Sequence, residues 1–289
     1  MKRLIPLFLI LVPLLSGCSG NEIPAQVAAT TLPVYEFTAA LCADTPITVT
    51  RLVTEEVSCL HDYSLNVKQV KAAEAADVIV MSGAGLEAFL EDILTEKEAI
   101  DASNGISLLC PDDGHDHGHE NHHHESDPHI WLSPANAMEM AKNICSGLTS
   151  RYPAYAETLN TNLTSLLSDL AALQAYGNDT LSQLSCREII TFHDGFAYFA
   201  ESFDLTILEA MEEESGSEAS AKELIRLIQE VEHHRLPAIF TETNGSASAA
   251  GIISRETGAR CFPLDMAMSG KSYFDAMYHN IDTIKEALG

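Results

Sequence analysis

Two stretches of this chain alternate short apolar runs with helical segments, and one long leucine-periodic segment stands between them. In the first stretch, "AQVAATTLPVYEFTAALC" reads as a strand and then a helix, and "PITVTRLV" as a second strand. "NVKQVKAAEAA" has helical period, "DVIVMSG" reads as a buried strand, and "GLEAFLEDILT" as another helix. Strands alternating with helices imply parallel pairing with helices on both faces. From Pro134 the pattern turns helical. "PANAMEMAKNICSGLTSRY" ends near Pro153, and Leu159, Leu163, Leu166, Leu167, Leu170 and Leu173 then recur at spacings of three and four, one face of a single helix. A helix of about thirty residues is far above the globular mean of ~11–12 and is long enough to serve as a spine. The second stretch repeats the grammar in "REIITF", "FAYFAESF", "LTILEA", "AKELIRLIQEVEHH", "AIFTE", "ASAAGIISRETG", "RCFPLD" and "YFDAMYHNIDTIKEAL". The expected fold is α/β: two similar lobes, each a parallel-stranded sheet flanked by helices, joined by one long helix.

The N-terminus reads differently. Lys2 and Arg3 precede an apolar run from Leu4 to Leu15, closed by Ser16-Gly17-Cys18. About a dozen apolar residues are too few to span a bilayer, which needs ~20, and they suit the apolar part of a secretory signal. An ordinary cleaved signal or an N-terminal anchor helix would share that pattern. Small residues directly before a cysteine resemble the lipobox of bacterial lipoproteins. By that resemblance residues 1–17 are a signal peptide, Cys18 is lipidated, and 18–26 form a tether that holds an exported chain at the cell membrane. The expected organisation beyond it is an N-terminal lobe at 27–152, a linking helix at 153–184 and a C-terminal lobe at 185–289.

Removing Lys2 and Arg3 takes the formal charge from -26 to -28. Such an acidic surface repels nucleic acid and anionic lipid and favours solubility outside the cell. Beyond Cys18 six cysteines remain: Cys42, Cys59, Cys110, Cys145, Cys186 and Cys261. An even number in an exported chain suggests disulfides, and sequence alone does not choose among the pairings. Cys186 and Cys261 each stand just before an apolar strand-like run, so their pairing is the expectation here. The absence of any CxxC pair argues against a thiolate zinc knuckle.

Histidines carry the chemistry. The segment "GHDHGHENHHHESDPHIWLSP" holds His115, His117, His119, His122, His123 and His124 in a polar stretch, 112–126, without apolar period, and His129 follows. Outside that tract, His61 in "SCLHDYSL", His129 in "DPHIWLSP" and His193 in "TFHDGFAYFA" each fall where a strand-like segment yields to a loop or helix. In alternating α/β lobes ligands gather beyond the carboxyl ends of strands. Asp265 in "FPLDMAMSG" ends a fourth such run. Three imidazoles and one carboxylate suit tetrahedral Zn²⁺. Any one of these histidines alone is as readily a hydrogen-bonded core or surface residue, and spacing leaves both readings open.

The segments "HDYSLNVKQVKAAEAADVIVMSGAGLEAFLEDIL", "DPHIWLSP", "TFHDGFAYFA" and "CFPLD" occur in an order that resembles the zinc/manganese (cluster A-I) metal-binding lipoproteins of bacterial ABC importers, over nearly the whole mature chain. The resemblance implies two lobes on one long rigid helix, with the metal site in the cleft. It implies metal ligands His61, His129, His193 and Asp265, Zn²⁺ as the bound ion, a membrane ABC permease as partner, a monomer, and no catalysis. An acidic, histidine-rich insertion before the "DPH" segment resembles the zinc subgroup, in which the tract acts as an accessory zinc-gathering loop. Members that take manganese tend to carry a carboxylate where this chain has His193, and imidazole suits zinc better. The chain departs from the pattern before the first ligand, where "EEVSCLHDYS" puts Cys59 two residues from His61. Glu242 in "IFTETNGS" is expected to support a ligand from behind.

Other readings differ in class. A manganese- or iron-binding homologue keeps the fold and changes the cargo. A zinc hydrolase would need an open coordination position and Asp194 or Glu242 as base, which a fourth protein ligand argues against. GxSxG and P-loop patterns are absent from the sequence, and its one HExxH string, His119 to His123, falls in the polar tract without the helical period that motif needs. An adhesin role is compatible with the same fold and would add to transport.

Overall fold

The computed structural model describes residues 26–57, 60, 63–95, 97–110, 126–211, 220–245 and 248–289. Cys18, Cys59, His61, the histidines from His115 to His124, the signal segment and most of the tether therefore lie outside the described residues.

The first half builds a sheet from four short strands: β1 (Gln26–Ala29), β2 (Thr48–Arg51), β3 (Val78–Met81) and β4 (Ala99–Asp101). Their order is β2-β1-β3-β4, with every pair parallel. Helix α1 (Leu32–Leu41) follows β1 almost at once, with Pro33 in its first turn, where a missing N–H costs nothing. Helix α2 (Val67–Ala75) starts at a full capping box, in which Asn66 and Gln69 satisfy each other's backbone donors. The helix expected over "GLEAFLEDILT" is only a 3₁₀ turn at Ala88–Leu90 and a single α turn, α3 (Glu91–Leu94). Its N-terminal part is a loop instead, because Gly83, Ala84 and Gly85 all have positive φ.

After a 3₁₀ turn at Ile130–Leu132, α4 (Pro134–Arg151) is capped by Ser133. A second 3₁₀ turn, Pro153–Tyr155, leads into α5 (Ala156–Thr180), the long helix, 25 residues in length. Leu159, Leu166, Leu170 and Leu173 are buried along it, as the leucine spacing predicts. The expected segment 153–184 overshoots the α-helix by four residues at its C-terminal side, where Leu181 closes it with a bond to Gly177 O. Helix α5 touches both halves: Asn162 donates to Leu41 O and Ala43 O, while Gly177 leaves room for the Phe203 ring.

The second half comprises β5 (Glu188–Thr191), α6 (Ala197–Ser202), β6 (Thr206–Ala210), α7 (Ala221–His234), β7 (Ala238–Glu242), α8 (Ser248–Thr257), β8 (Arg260–Leu264) and α9 (Tyr273–Leu288). Its sheet runs β6-β5-β7-β8, again parallel throughout, the same order as the first. One core crosses the middle of the molecule: Val27, Phe37, Trp131, Leu166, Phe199, Tyr273 and Leu288 belong to a single buried cluster. The connection from β8 to α9 is stitched to the first half. Leu32 N–H reaches Met268 O at 3.2 Å, Trp131 Nε1 donates to Met266 O at 2.8 Å, and Arg51 Nη1 to Gly270 O at 2.9 Å. Tyr273 N–H also donates to the Glu36 carboxylate.

The expected pairing of Cys186 with Cys261 is not found, and both are free thiols. Strand β7 lies between β5, which Cys186 precedes, and β8, which carries Cys261. Two spacings of ~4.8 Å exceed the Cα separation of ~7 Å beyond which a bridge needs backbone movement. Each thiol instead donates to a carbonyl, Cys186 to Glu188 O and Cys261 to Ala250 O. Cys42 and Cys145 are buried free thiols, and burial pushes Cys42 up to about 12, out of the reactive range. Among the described residues no helix is long and apolar enough to cross a membrane.

Candidate metal centre

In each sheet the chain first steps outward from the central strand and then crosses to its other side, so the order reverses between β1 and β3 and again between β5 and β7. Loops diverge at such a point and leave a crevice at the carboxyl ends of the strands. His193 lies two residues beyond β5, and Glu242 is the last residue of β7. They meet across the second reversal, His193 Nδ1 lying 3.4 Å from Glu242 Oε2. Thr191 Oγ1 donates to His193 O at 3.1 Å and fixes the turn that aims the ring.

His129 arrives from the other half of the chain. The expectation of a strand before it is not met among the described residues: it is the N-cap of the 3₁₀ turn Ile130–Leu132. Asp127 fixes it twice, accepting from His129 N–H at 2.9 Å and facing Nδ1 at 2.8 Å. In the tautomer with the proton on Nδ1, this carboxylate would accept it and Nε2 would be the lone-pair donor, the arrangement that outer-shell carboxylates impose on metal-binding imidazoles. His129 is 2% exposed, its ring set edge-on to Trp131. The His129 and His193 ring centroids are 5.3 Å apart at an interplanar angle of 85°. Two imidazoles separated by more than sixty residues in sequence are thus adjacent in space, each with Nδ1 beside a carboxylate.

Asp265 follows β8 directly. Its Oδ1 accepts from Ala267 N–H at 2.7 Å, and Asn280 on α9 pairs with its backbone in both directions, at 2.7 Å each. The carboxylate is held at the mouth of the second sheet, next in sequence to Met266. Among the described residues no three His, Cys, Asp or Glu side chains form a group arranged to hold an ion; what they bring together is the histidine pair with its two carboxylate partners. His61 is outside the described residues; Leu60 beside it is buried in the shared core.

Sequence reasoning missed two residues. Gly195 lies against the pair: a Cβ there would fall 2.5 Å from Met266 Cε, 2.8 Å from His193 Cδ2 and 3.0 Å from His129 Cε1. Only a glycine lets the two rings approach this closely, and the "FHDGF" string holds that signal without its reason. Asp127 was visible in "DPH", but its role on Nδ1 was not.

The first reversal is filled differently. Glu87, 6% exposed, accepts from Thr30 Oγ1 at 2.7 Å, Ser82 N–H at 2.7 Å and Gly83 N–H at 3.0 Å. It ties the ends of β1 and β3 together. Burial raises its carboxyl to about 7, against the pull of those three hydrogen bonds.

Two parallel sheets of the same strand order joined through a long helix, with two imidazoles brought together beside the second strand-order reversal, give a two-lobed α/β architecture. The family model described as "ZnuA: Zinc-uptake complex component A periplasmic" matches residues 27–287, and the chain belongs to that family. It is 29% identical over 278 residues to the "Zinc-binding lipoprotein AdcA" of Streptococcus pneumoniae serotype 4, covering 90% of this chain and 55% of that protein. The chain thus spans about half the length of that relative. Among solved structures, a crystal structure of ZnuA superposes with a TM-score of 0.78 at 26% identity, covering 92% of this chain and all of the other. The solute-binding protein FpvC of Pseudomonas aeruginosa, in complex with Mn²⁺, superposes with a TM-score of 0.79 at 23% identity, covering 92% of this chain and 98% of its own; that likeness is one of fold alone.

Proposed function

We propose that the protein captures Zn²⁺ outside the cytoplasm and delivers it to the permease of an ABC importer, without catalysing a reaction. The observation that carries this is the adjacency of His129 and His193 at 5.3 Å, each with Nδ1 beside a buried or half-buried carboxylate. Both Nε2 atoms are then directed to one ion. His61 and Asp265 complete the shell, and Glu242 and Asp127 orient the two central imidazoles. A nitrogen-rich set of this kind suits zinc over the harder Mn²⁺, and raw affinity runs the same way. The ligands bind deprotonated, so capture weakens in acid. The tract from His115 to His124 gathers zinc at low affinity and is dispensable for capture. Cys18 carries the lipid anchor, and residues 18–26 let the receptor range near the permease.

The test is titration of the mature, tag-free protein with Zn²⁺ and Mn²⁺, alongside a version lacking His115 to His124 and the variant His193→Ala. The expected result is one tight zinc site that survives loop deletion and is lost in His193→Ala, with weaker sites that vanish with the loop. A preference for Mn²⁺ would transfer the cargo to that ion. Tight binding indifferent to His193→Ala would overturn the site.

A further inference from the structure

Met266 is the second residue past β8 and is buried in the core cluster that crosses the molecule. Its carbonyl accepts from Trp131 Nε1 at 2.8 Å, and the Trp131 ring stands edge-on to His129. The residues on either side are tied as well: Asn280 pairs with the backbone of Asp265, and Ala267 N–H donates to Asp265 Oδ1. With the main chain so held, the Met266 side chain reaches the histidine pair. Met266 Cε, His193 Cδ2 and His129 Cε1 lie 2.5, 2.8 and 3.0 Å from a single point, the place a Cβ on Gly195 would take. We propose that Met266 is a specificity-determining residue of the centre: its methyl walls off one side of the imidazole pair against added water ligands, which favours four-coordinate Zn²⁺ over six-coordinate Mn²⁺.

This inference rests on the reading of the cleft as a metal site and adds to it a cause of selectivity. The two ring carbons that meet the methyl are each bonded to Nε2 of their own ring, while each Nδ1 faces a carboxylate. The methyl therefore packs beside the edge that is left for an ion. It neither donates nor accepts a hydrogen bond, so it takes up volume next to the rings and offers a metal-bound water nothing to hold. Zn²⁺ is satisfied by four ligands in a tetrahedron, whereas Mn²⁺ suits an octahedron of oxygens. Removing water positions thus costs Mn²⁺ more than Zn²⁺, on top of the preference that imidazole already gives. The atom at the rings is Cε and not the thioether sulfur, so the wall acts by shape. Gly195 is the counterpart, because only a residue without a Cβ lets the methyl and both rings close on one point. A methionine that only filled the core would alter stability when truncated and leave the choice of ion unchanged.

The test uses the full mature chain as wild type, Met266→Leu and Met266→Ala. Zn²⁺ and Mn²⁺ affinities are measured by chelator competition, and the visible spectrum is recorded with one equivalent of Co²⁺, whose absorption is intense when four-coordinate and weak when six-coordinate. Met266→Ala should lower the ratio of Zn²⁺ to Mn²⁺ affinity by ~10-fold, the low end of what residues behind a metal centre give, and should weaken the Co²⁺ bands. Met266→Leu keeps the bulk without the sulfur and should retain both the ratio and the spectrum. An unchanged ratio in Met266→Ala overturns the proposal, as does a Leu variant that behaves like Ala. A weak, six-coordinate Co²⁺ spectrum in the wild type overturns it even where Met266→Ala does not fold. In each of these cases tight Zn²⁺ binding by the wild type, lost in His193→Ala, leaves the receptor reading standing. A wild type without that binding overturns both.

Discussion

Where the strand order reverses in the first sheet, a glutamate is folded in against three donors; where it reverses in the second, a glutamate faces a histidine. Glu87 and Glu242 are almost equally buried, at 6% and 7% exposure. The difference lies in what surrounds them. Glu87 accepts from two backbone N–H groups and a threonine, all belonging to loops that leave β1 and β3, and so closes the crevice. Glu242, the last residue of β7, instead stands 3.4 Å from the His193 ring. The same fold rule therefore ties one reversal shut with a glutamate and sets a carboxylate against an imidazole at the other, where the proposed function places the ion.

Substitutions separate the two roles. The largest effect on the metal is expected for His193→Ala, a loss of zinc affinity greater than the ~10–100-fold typical of outer-shell partners, measured by competition with a chromogenic chelator. Glu242→Ala should fall within that ~10–100-fold range, with little change in melting temperature. Glu87→Ala should do the reverse. It orphans buried donors and is expected to destabilise the fold by about 2–4 kcal/mol in urea unfolding, at ~1–3 kcal/mol for an unsatisfied buried group, while zinc affinity in the folded fraction stays within a few-fold. Equal losses of affinity from the two glutamate variants would break the comparison.

The carboxyl of Glu87 also predicts a pH slope. Its folded value, about 7, lies above the ordinary 4.5, so the folded state holds the proton more tightly than the unfolded chain. That contribution is fully present below about pH 4.5 and is lost as the pH rises through about 7, amounting to ~3–3.5 kcal/mol over the window. Glu87→Gln should flatten that part of the stability profile. Gly195→Ala should be milder, costing about 1–2 kcal/mol by overpacking, and a crystal structure should show the two imidazoles moved apart from 5.3 Å. The smallest effect is expected for Cys186→Ser with Cys261→Ser. As no bond joins them, the melting temperature should not drop by the amount that losing a bridge, typically ~2–4 kcal/mol, would cause.

Much of this was legible from the sequence, for identifiable reasons. The leucine spacing that predicts α5 is a long-range periodic signal, and four of those leucines are buried as expected. Strands such as Ile189–Ile190 and Ile239–Phe240 announce themselves as apolar runs because parallel strands are covered on both faces. Strand β4, only three residues and bounded by polar neighbours, carries no such run and went unread. The histidines were readable as candidate ligands in type, but the Gly195 clearance and the Asp127 contact are facts of tertiary approach. The cysteine pairing failed because proximity to a strand start says nothing about which strand lies between. Glu87 was hidden inside a helical-looking run, where the positive φ of Ala84 ends the helix before it begins.

The stitching of the β8–α9 connection onto Trp131, Leu32 and Arg51 has a kinetic consequence. Parting the halves would strip water-excluded aromatic surface and several hydrogen bonds at once, a barrier on the scale of partial unfolding. In the proposed receptor the residence time of the ion would therefore be governed by small excursions of single loops around it. On the proposed function, handover would then work by the permease catching a rare, local fluctuation, and off-rates should respond to loop substitutions far more than to changes along the spine.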